Sequence, residues 1–177
     1  MKAIPYNEAL KKIEYYCSYQ DRCYKEVENK LYEYLLEPEE KQNILIYLIE
    51  NKYINEERFA KSFARGKHFY KNWGRIRIKQ ELKFRDISNT NIELALEEIK
   101  ENYENRFNEY ALKKWDQITG VTFEKKRTKL QTRLNYKGYE NNLIYTFFLL
   151  FSSRYNNFSS FSLSPVFLFL DSRLSTI

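Results

Sequence analysis

Apolar positions along this chain recur at two periods, a short one of three to four residues and a long one of about fifty. Leu31, Leu82 and Leu134 stand 51 and 52 residues apart. Four residues before each come Val27, Ile78 and Leu130, and five after each come Leu36, Ile87 and Tyr139. Further along, Ile44, Ala95 and Phe147 align, then Leu45, Leu96 and Phe148, then Leu48, Ile99 and Phe151. One such match means little in a chain that is 43% hydrophobic. Six apolar columns carried through three copies are hard to assign to chance. Within a copy the columns fall into two segments with helical spacing, so each segment buries one helix face. The pattern predicts an all-α protein of three tandem three-helix repeats, at 1–53, 54–102 and 103–151, followed by a segment at 152–177.

Local signals place the helices. In the second copy Asn55 is an N-cap, with Ile54 and Phe59 spaced as a hydrophobic staple. That helix runs to about Lys71, breaks at Asn72-Trp73-Gly74, and is followed by a helix from about Gly74 to Phe84. Ser88 caps a third, ending near Lys100. The first copy runs from about Tyr6 to Tyr53; Asp21 is the expected cap of its middle helix, and Pro38 sits in the first turn of its third. The third copy starts near Tyr103, breaks at Thr119 to Thr122, and continues as a basic helix from Phe123 that Lys137-Gly138 ends. Fifty residues make a small core, so mutual support between copies is expected. Residues 152–177 are different: eight of the 26 are Ser, four are Phe and three are charged. No column continues into them, and no function is assigned to them.

Composition narrows the chemistry. Four glycines leave no glycine-rich phosphate loop, and one histidine, His68, leaves a single imidazole. Cys17 and Cys23 make neither a disulfide framework nor a zinc knuckle and read as semi-buried helix residues. Glu56, Glu57, Glu97, Glu98 and Glu101 read as solvated helix faces rather than an acid–base pair. No enzyme activity, metal or cofactor is expected. The amino-terminal residues reach Asn7 and Glu8 before an apolar export signal can form. The longest apolar run, Leu143 to Phe151, is far short of the roughly 20 residues of a membrane span. A cytoplasmic monomer with no membrane partner is the expectation.

Charge is strongly segregated. Residues 1–57 carry −4, 58–85 carry +9, 86–112 carry −5 and 113–137 carry +6. A field of +9 over 28 residues attracts polyanions or acidic protein surfaces; the plainer reading is a solvated face, though such faces usually mix signs. At about 100° per residue, the helix from Asn55 places Phe59, Phe63 and Tyr70 together as a core face, with Arg58, Lys61, Arg65 and His68 opposite. Arg75, Lys79 and Lys83 form a second basic stripe on the next helix. Lys125, Lys126, Arg127, Lys129 and Arg133 repeat the arrangement in the third copy. The candidate binding residues are therefore Arg58, Lys61, Arg65, Arg75, Lys79 and Lys83, with Lys126, Arg127 and Lys129 as a second group.

These residues resemble a known family. The run Asn55-Glu56-Glu57-Arg58-Phe59-Ala60, then Phe63, Arg65 and Lys67, then Gly74-Arg75-Ile76-Arg77-Ile78 with Glu81-Leu82, is similar to the signature stretch of the RecX family of recombinase regulators. Arg127-Thr128-Lys129-Leu130 through Leu134, closed by Lys137-Gly138-Tyr139 and Leu143-Ile144, resembles the family's C-terminal motif. Ala9-Leu10 with Arg22, Glu26, Lys30 and Leu31 resembles its start. Cys23 stands where the family favours a small hydroxyl residue, and Arg85 where it favours glycine. The resemblance implies an elongated, curved array of three three-helix repeats. It also implies a non-enzymatic modulator of the RecA recombinase in recombination and DNA repair. Such a protein lies in the groove of the RecA–single-stranded DNA filament and limits strand exchange, ATP hydrolysis and repressor co-cleavage, touching the DNA weakly or indirectly. The rival reading is a stand-alone DNA-binding module of helix-turn-helix type; an enzyme acting on nucleic acid is the weakest.

Overall fold

The structure, a computed structural model, describes residues 3–157. The first repeat is α1 (Tyr6–Tyr19), α2 (Tyr24–Leu31) and α3 (Pro38–Glu50); the second is α4 (Glu56–Lys71), α5 (Arg75–Phe84) and α6 (Asn89–Glu97). The third is α7 (Tyr103–Asp116), α8 (Phe123–Lys137) and α9 (Asn141–Asn157). No strand occurs among the described residues. The backbone of α9 runs past residue 151, and residues 158–177, most of the Ser/Phe-rich segment, lie outside the described residues.

The chain divides into two compact units, Met1–Glu101 with α1 to α6 and Asn102–Ile177 with α7 to α9. The repeat columns are the core of each. Val27, Leu31, Ile78, Leu82, Leu130 and Leu134 are each at most 1% exposed. Burying one such side chain contributes roughly 1.5–3 kcal/mol. Of the eighteen column residues only Leu96 is half-buried; the other seventeen are buried. The column at Ile87 and Tyr139 has a second role. Asp86 (φ 61°) and Gly138 (φ 80°) take left-handed backbone after α5 and α8. The following amides, of Ile87 and Tyr139, then donate back to the carbonyls of Leu82 and Leu134 at 3.2 Å. That is the Schellman closure, with a buried apolar residue sealing the helix end.

A column of alanines also runs through the repeats: Ala9, Ala60 and Ala111 are all 0% exposed. In the second repeat α4 packs chiefly along α6, where alanine lets helix axes approach closely. One turn on, Ile13 and Ala64 are succeeded by Trp115, and the third repeat has an aromatic core. There Phe107 meets Tyr139 edge to face at 4.9 Å, and Trp115 meets Phe151 at 4.8 Å. Such pairs add about 0.5–1.5 kcal/mol beyond the area they bury.

Two caps match the sequence signals. Asn55 accepts the Arg58 amide at 2.8 Å and Ser88 that of Asn91 at 3.3 Å. Asp21, the expected cap of α2, is not one: the N-cap is Cys23, which makes no capping hydrogen bond. The Asp21 carboxylate instead holds Arg58 of the next repeat at 2.7 Å. Arg85 lies at φ −92°, where glycine has no advantage; the left-handed residue is its neighbour Asp86.

Candidate functional site

Four cations of α4 and α5 are matched by carboxylates from the flanking acidic segments. Arg58 pairs with Asp21 at 2.7 Å and donates to the carbonyls of Lys52 and Tyr53. Lys61 lies 2.7 Å from Glu57 and 3.7 Å from Glu98, and the Glu57 carboxylate raises its ammonium above the ordinary pKa. Arg65 takes the other oxygen of Glu98 at 2.8 Å, and on α5 Lys79 takes Glu93 at 2.7 Å. Arg75 is half-buried at the first residue of α5, and Lys83 is exposed. Of the six expected here, Arg58, Lys61, Arg65 and Lys79 are thus tied into the unit's own surface.

The faces of α4 are not those the aromatic pattern implies. The buried face is Phe59, Ala60, Ala64 and His68, while Tyr70 is 84% exposed. His68, expected on the cationic surface, is 1% exposed. Its Nδ1–H donates to the Trp73 carbonyl at 2.9 Å. It occupies the position that Cys17 holds in the first repeat, 51 residues earlier. Burial pushes the Cys17 thiol up to about 11. Phe59 is buried as its size implies, and the rest of that face is Ala60, Ala64 and His68.

Phe63 and Tyr70 instead line a groove of about 480 Å³ within the first unit. One wall is the α4 stripe that includes Phe59, Phe63, Gly66, Lys67 and Tyr70; the other carries Asp21, Arg22, Glu26 and Arg85. The second wall is held by ion pairs. Arg85 reaches Glu26 at 3.2 Å and Glu81 at 2.8 Å, and its guanidinium lies 4.9 Å from the centre of the Phe63 ring. Lys25 donates to the Phe84 carbonyl at 2.7 Å and pairs with Asp86 at 2.8 Å. Gly66 is mid-helix, and a Cβ there would meet nothing within 4 Å. A glycine at such a place costs about 1 kcal/mol of helix stability relative to alanine. Local periodicity does not mark this groove, because its walls come from residues about 40 apart.

The second unit treats its cations differently. Lys125, Lys129 and Arg133 are exposed and four residues apart, so they form one row along α8. Thr128, Thr132 and Tyr136 lie on the same exposed face. Among the described residues no carboxylate lies within 4 Å of any of these three cations. Lys126 and Arg127 are half-buried beside the row and meet rings instead, Lys126 at 4.6 Å from Trp115 and Arg127 at 5.3 Å from Phe148. Of the three expected in this group, Lys129 is in the exposed row and the other two flank it. Like charges at i,i+4 repel by roughly 0.2–0.5 kcal/mol a pair, a cost that an anion along the row removes.

No group of three or more His, Cys, Asp and Glu among the described residues could hold a metal ion. No helix among them is long and apolar enough to cross a membrane. The geometry defines an all-α three-helix-repeat protein whose distinctive surfaces are cationic helix faces. Residues 55–96 match the family model described as RecX, second three-helix domain. The regulatory protein RecX of Salmonella paratyphi A is 30% identical over 98 residues, 55% of this chain and 58% of that protein. Its counterpart in Salmonella arizonae is 28% identical over 102 residues, 58% and 60% of the two chains. The matches therefore span less than two thirds of those relatives. The crystal structure of RecX from Lactobacillus salivarius is similar with a TM-score of 0.69 at 25% identity, over 81% of this chain and 94% of that one. The family model, the curated relatives and the solved structure all support the RecX family for this chain.

Proposed function

We propose that this protein binds the RecA–single-stranded DNA filament and restrains its ATPase, strand-exchange and co-protease activities. It acts by binding alone, as a cytoplasmic monomer. Similarity to RecX proteins supports the reading, and those relatives are named regulatory proteins. The observation that carries it is the row Lys125, Lys129 and Arg133, three exposed cations on one helix face with no carboxylate within 4 Å among the described residues. Successive members rise about 6 Å along the helix, so the row meets a series of phosphates or carboxylates on a polymer better than one small anion. Lys126, Arg127 and Lys129 of α8 form one filament contact, and Arg75 and Lys83 of α5 belong to a separate, central one. Arg58, Lys61, Arg65 and Lys79 join it only by exchanging their own carboxylates for those of the partner.

The test adds purified protein to RecA assembled on single-stranded DNA. ATP hydrolysis and strand exchange should fall in a dose-dependent way. Replacing Lys125, Lys129 and Arg133 by Glu should abolish most of that effect without changing helical content. Undiminished inhibition by this variant removes α8 from the contact.

The exposed face of α8 also favours a second reading, a DNA-binding module, because Lys, Thr, Arg and Tyr side chains all contact phosphates. Tight, strongly salt-dependent binding to duplex DNA with a sequence preference, and no effect on RecA, would establish it.

A further inference from the structure

The groove of the first unit combines three features that none of its structural roles requires. The first is Gly66. Its backbone is ordinary helix, and no neighbour would clash with a side chain there. Glycine weakens a helix interior, so neither conformation nor packing explains it. What it provides is an open floor between Phe63 and Tyr70, where another molecule can approach the helix backbone closely.

The second is the charge that remains after the internal pairs are formed. Asp21 is held by Arg58 at 2.7 Å. Glu26 is held by Arg85 at 3.2 Å and Arg22 at 3.7 Å. Both carboxylates of the wall are thereby ion-paired, although Glu26 Oε2 is buried without a hydrogen-bond partner. Lys67, on the opposite wall, meets no carboxylate among the described residues; its ammonium lies 5.1 Å from the centre of the Phe63 ring and 5.2 Å from that of Trp73. The third is Arg22. Its guanidinium lies 4.0 Å from the centre of the Tyr16 ring, and its Nε is buried without a hydrogen-bond partner. A buried donor left in that state favours an acceptor brought from outside.

We propose that this groove docks an acidic segment of a partner protein, which inserts one large apolar side chain over Gly66 between Phe63 and Tyr70 and sets flanking carboxylates on Lys67 and Arg22. The size fits, since pockets of about 300–1,000 Å³ hold compact ligands and this one is about 480 Å³. Nucleic acid fits less well. A phosphate chain brings charge at every residue and would face Asp21 and Glu26, whereas a peptide carries charge only where its sequence puts it. The inference is independent of the RecA assignment, because the groove is built from α2, α4, the α1–α2 turn and Arg85 at the end of α5, while the cation row is on α8.

The experiment titrates the full chain into a fluorescein-labelled octapeptide with a central Phe flanked by Asp and Glu, read by anisotropy. Saturable binding is expected. Gly66→Leu should weaken it at least about tenfold by filling the floor, with an unchanged unfolding midpoint, and Lys67→Glu should weaken it several-fold. The same peptide with Lys for its acids, or Ala for its Phe, should bind at least about tenfold more weakly. Absence of saturable binding overturns the proposal, as does wild-type affinity in Gly66→Leu. Binding of oligothymidylate that Gly66→Leu abolishes overturns it in favour of a nucleic-acid groove. Loss of RecA inhibition in the α8 variant with peptide binding intact is the result expected if both readings hold; undiminished inhibition there overturns the filament contact alone, and absence of peptide binding overturns the groove alone.

Discussion

On α5, Lys79 reaches across to Glu93 of α6 at 2.7 Å, and on α4 Lys61 and Arg65 share the two oxygens of Glu98. On α8, Lys125, Lys129 and Arg133 follow the same spacing with no carboxylate in reach among the described residues. The two helix sets belong to copies of one repeat, and their apolar columns are buried alike. The frame therefore leaves the treatment of surface charge open. In the second repeat cations brace neighbouring helices, which stabilises the unit and lowers its outward field. In the third they repel one another along a single helix, a local destabilisation that leaves the field available to a polyanion. Net charge alone suggests the opposite ranking, since the middle segment is the more basic.

The comparison breaks first at its foundation, the equivalence of the two frames. Leu82→Ala and Leu134→Ala, both at positions 0% exposed, should each cost about 2–5 kcal/mol in denaturant unfolding. A surface-like cost at either one, well below 1 kcal/mol, means the copies are not built alike.

Next comes the contrast in charge. Replacing Lys125, Lys129 and Arg133 by Ala should lower affinity for RecA-coated DNA by roughly 10–100-fold and reduce the salt-dependence slope by about three. The parallel change at Arg58, Lys61 and Arg65 should leave that slope nearly unchanged and lower stability instead, since it strands Asp21 and Glu98. Equal slope changes would erase the distinction between braced and open cations.

Cys17 extends the comparison to the core position where the second repeat has His68. The folded thiol is raised to about 11 from an ordinary value of 9.0, so its contribution is fully present below pH 9 and is lost as pH rises through about 11. At most about 2–3 kcal/mol is involved. Unfolding of wild type and Cys17→Ala between pH 8 and 11 should show a shallower alkaline decline in the variant; parallel slopes would assign the decline to other groups. The smallest effect is at the exposed brace. Lys79→Gln should cost only about 0.2–1 kcal/mol, less at high salt, and a larger loss would give that pair more weight than its exposure allows.

The sequence makes the frame legible because burial of a helix face leaves its period in the residues that form it. Caps are legible for a similar reason: the donor bonded to Asn55 or Ser88 is only three residues away. The faces of α4 are not, because Ala60 and Ala64 give a weak apolar signal although they are the closest-packed residues on it. His68 is misplaced on the same ground, since a polar ring can be buried once one carbonyl accepts its proton. The candidate site is legible only as a concentration of charge. Which cations are braced depends on pairs such as Asp21 with Arg58 and Arg65 with Glu98, which local periodicity cannot bring together. The groove is hidden for that reason too, although a glycine within an otherwise good helix hints at it.

Lys25 of the first repeat supplies the cation at the end of α5 in the second, bonding the Phe84 carbonyl and the Asp86 side chain. A cut between residues 53 and 54 would therefore leave α5 with a frayed terminus and Lys25 with nothing to bind. Although the copies share one apolar pattern, these two are not interchangeable cassettes. Shuffling or deleting either one would disrupt its neighbour, so divergence of the first pair has to proceed jointly.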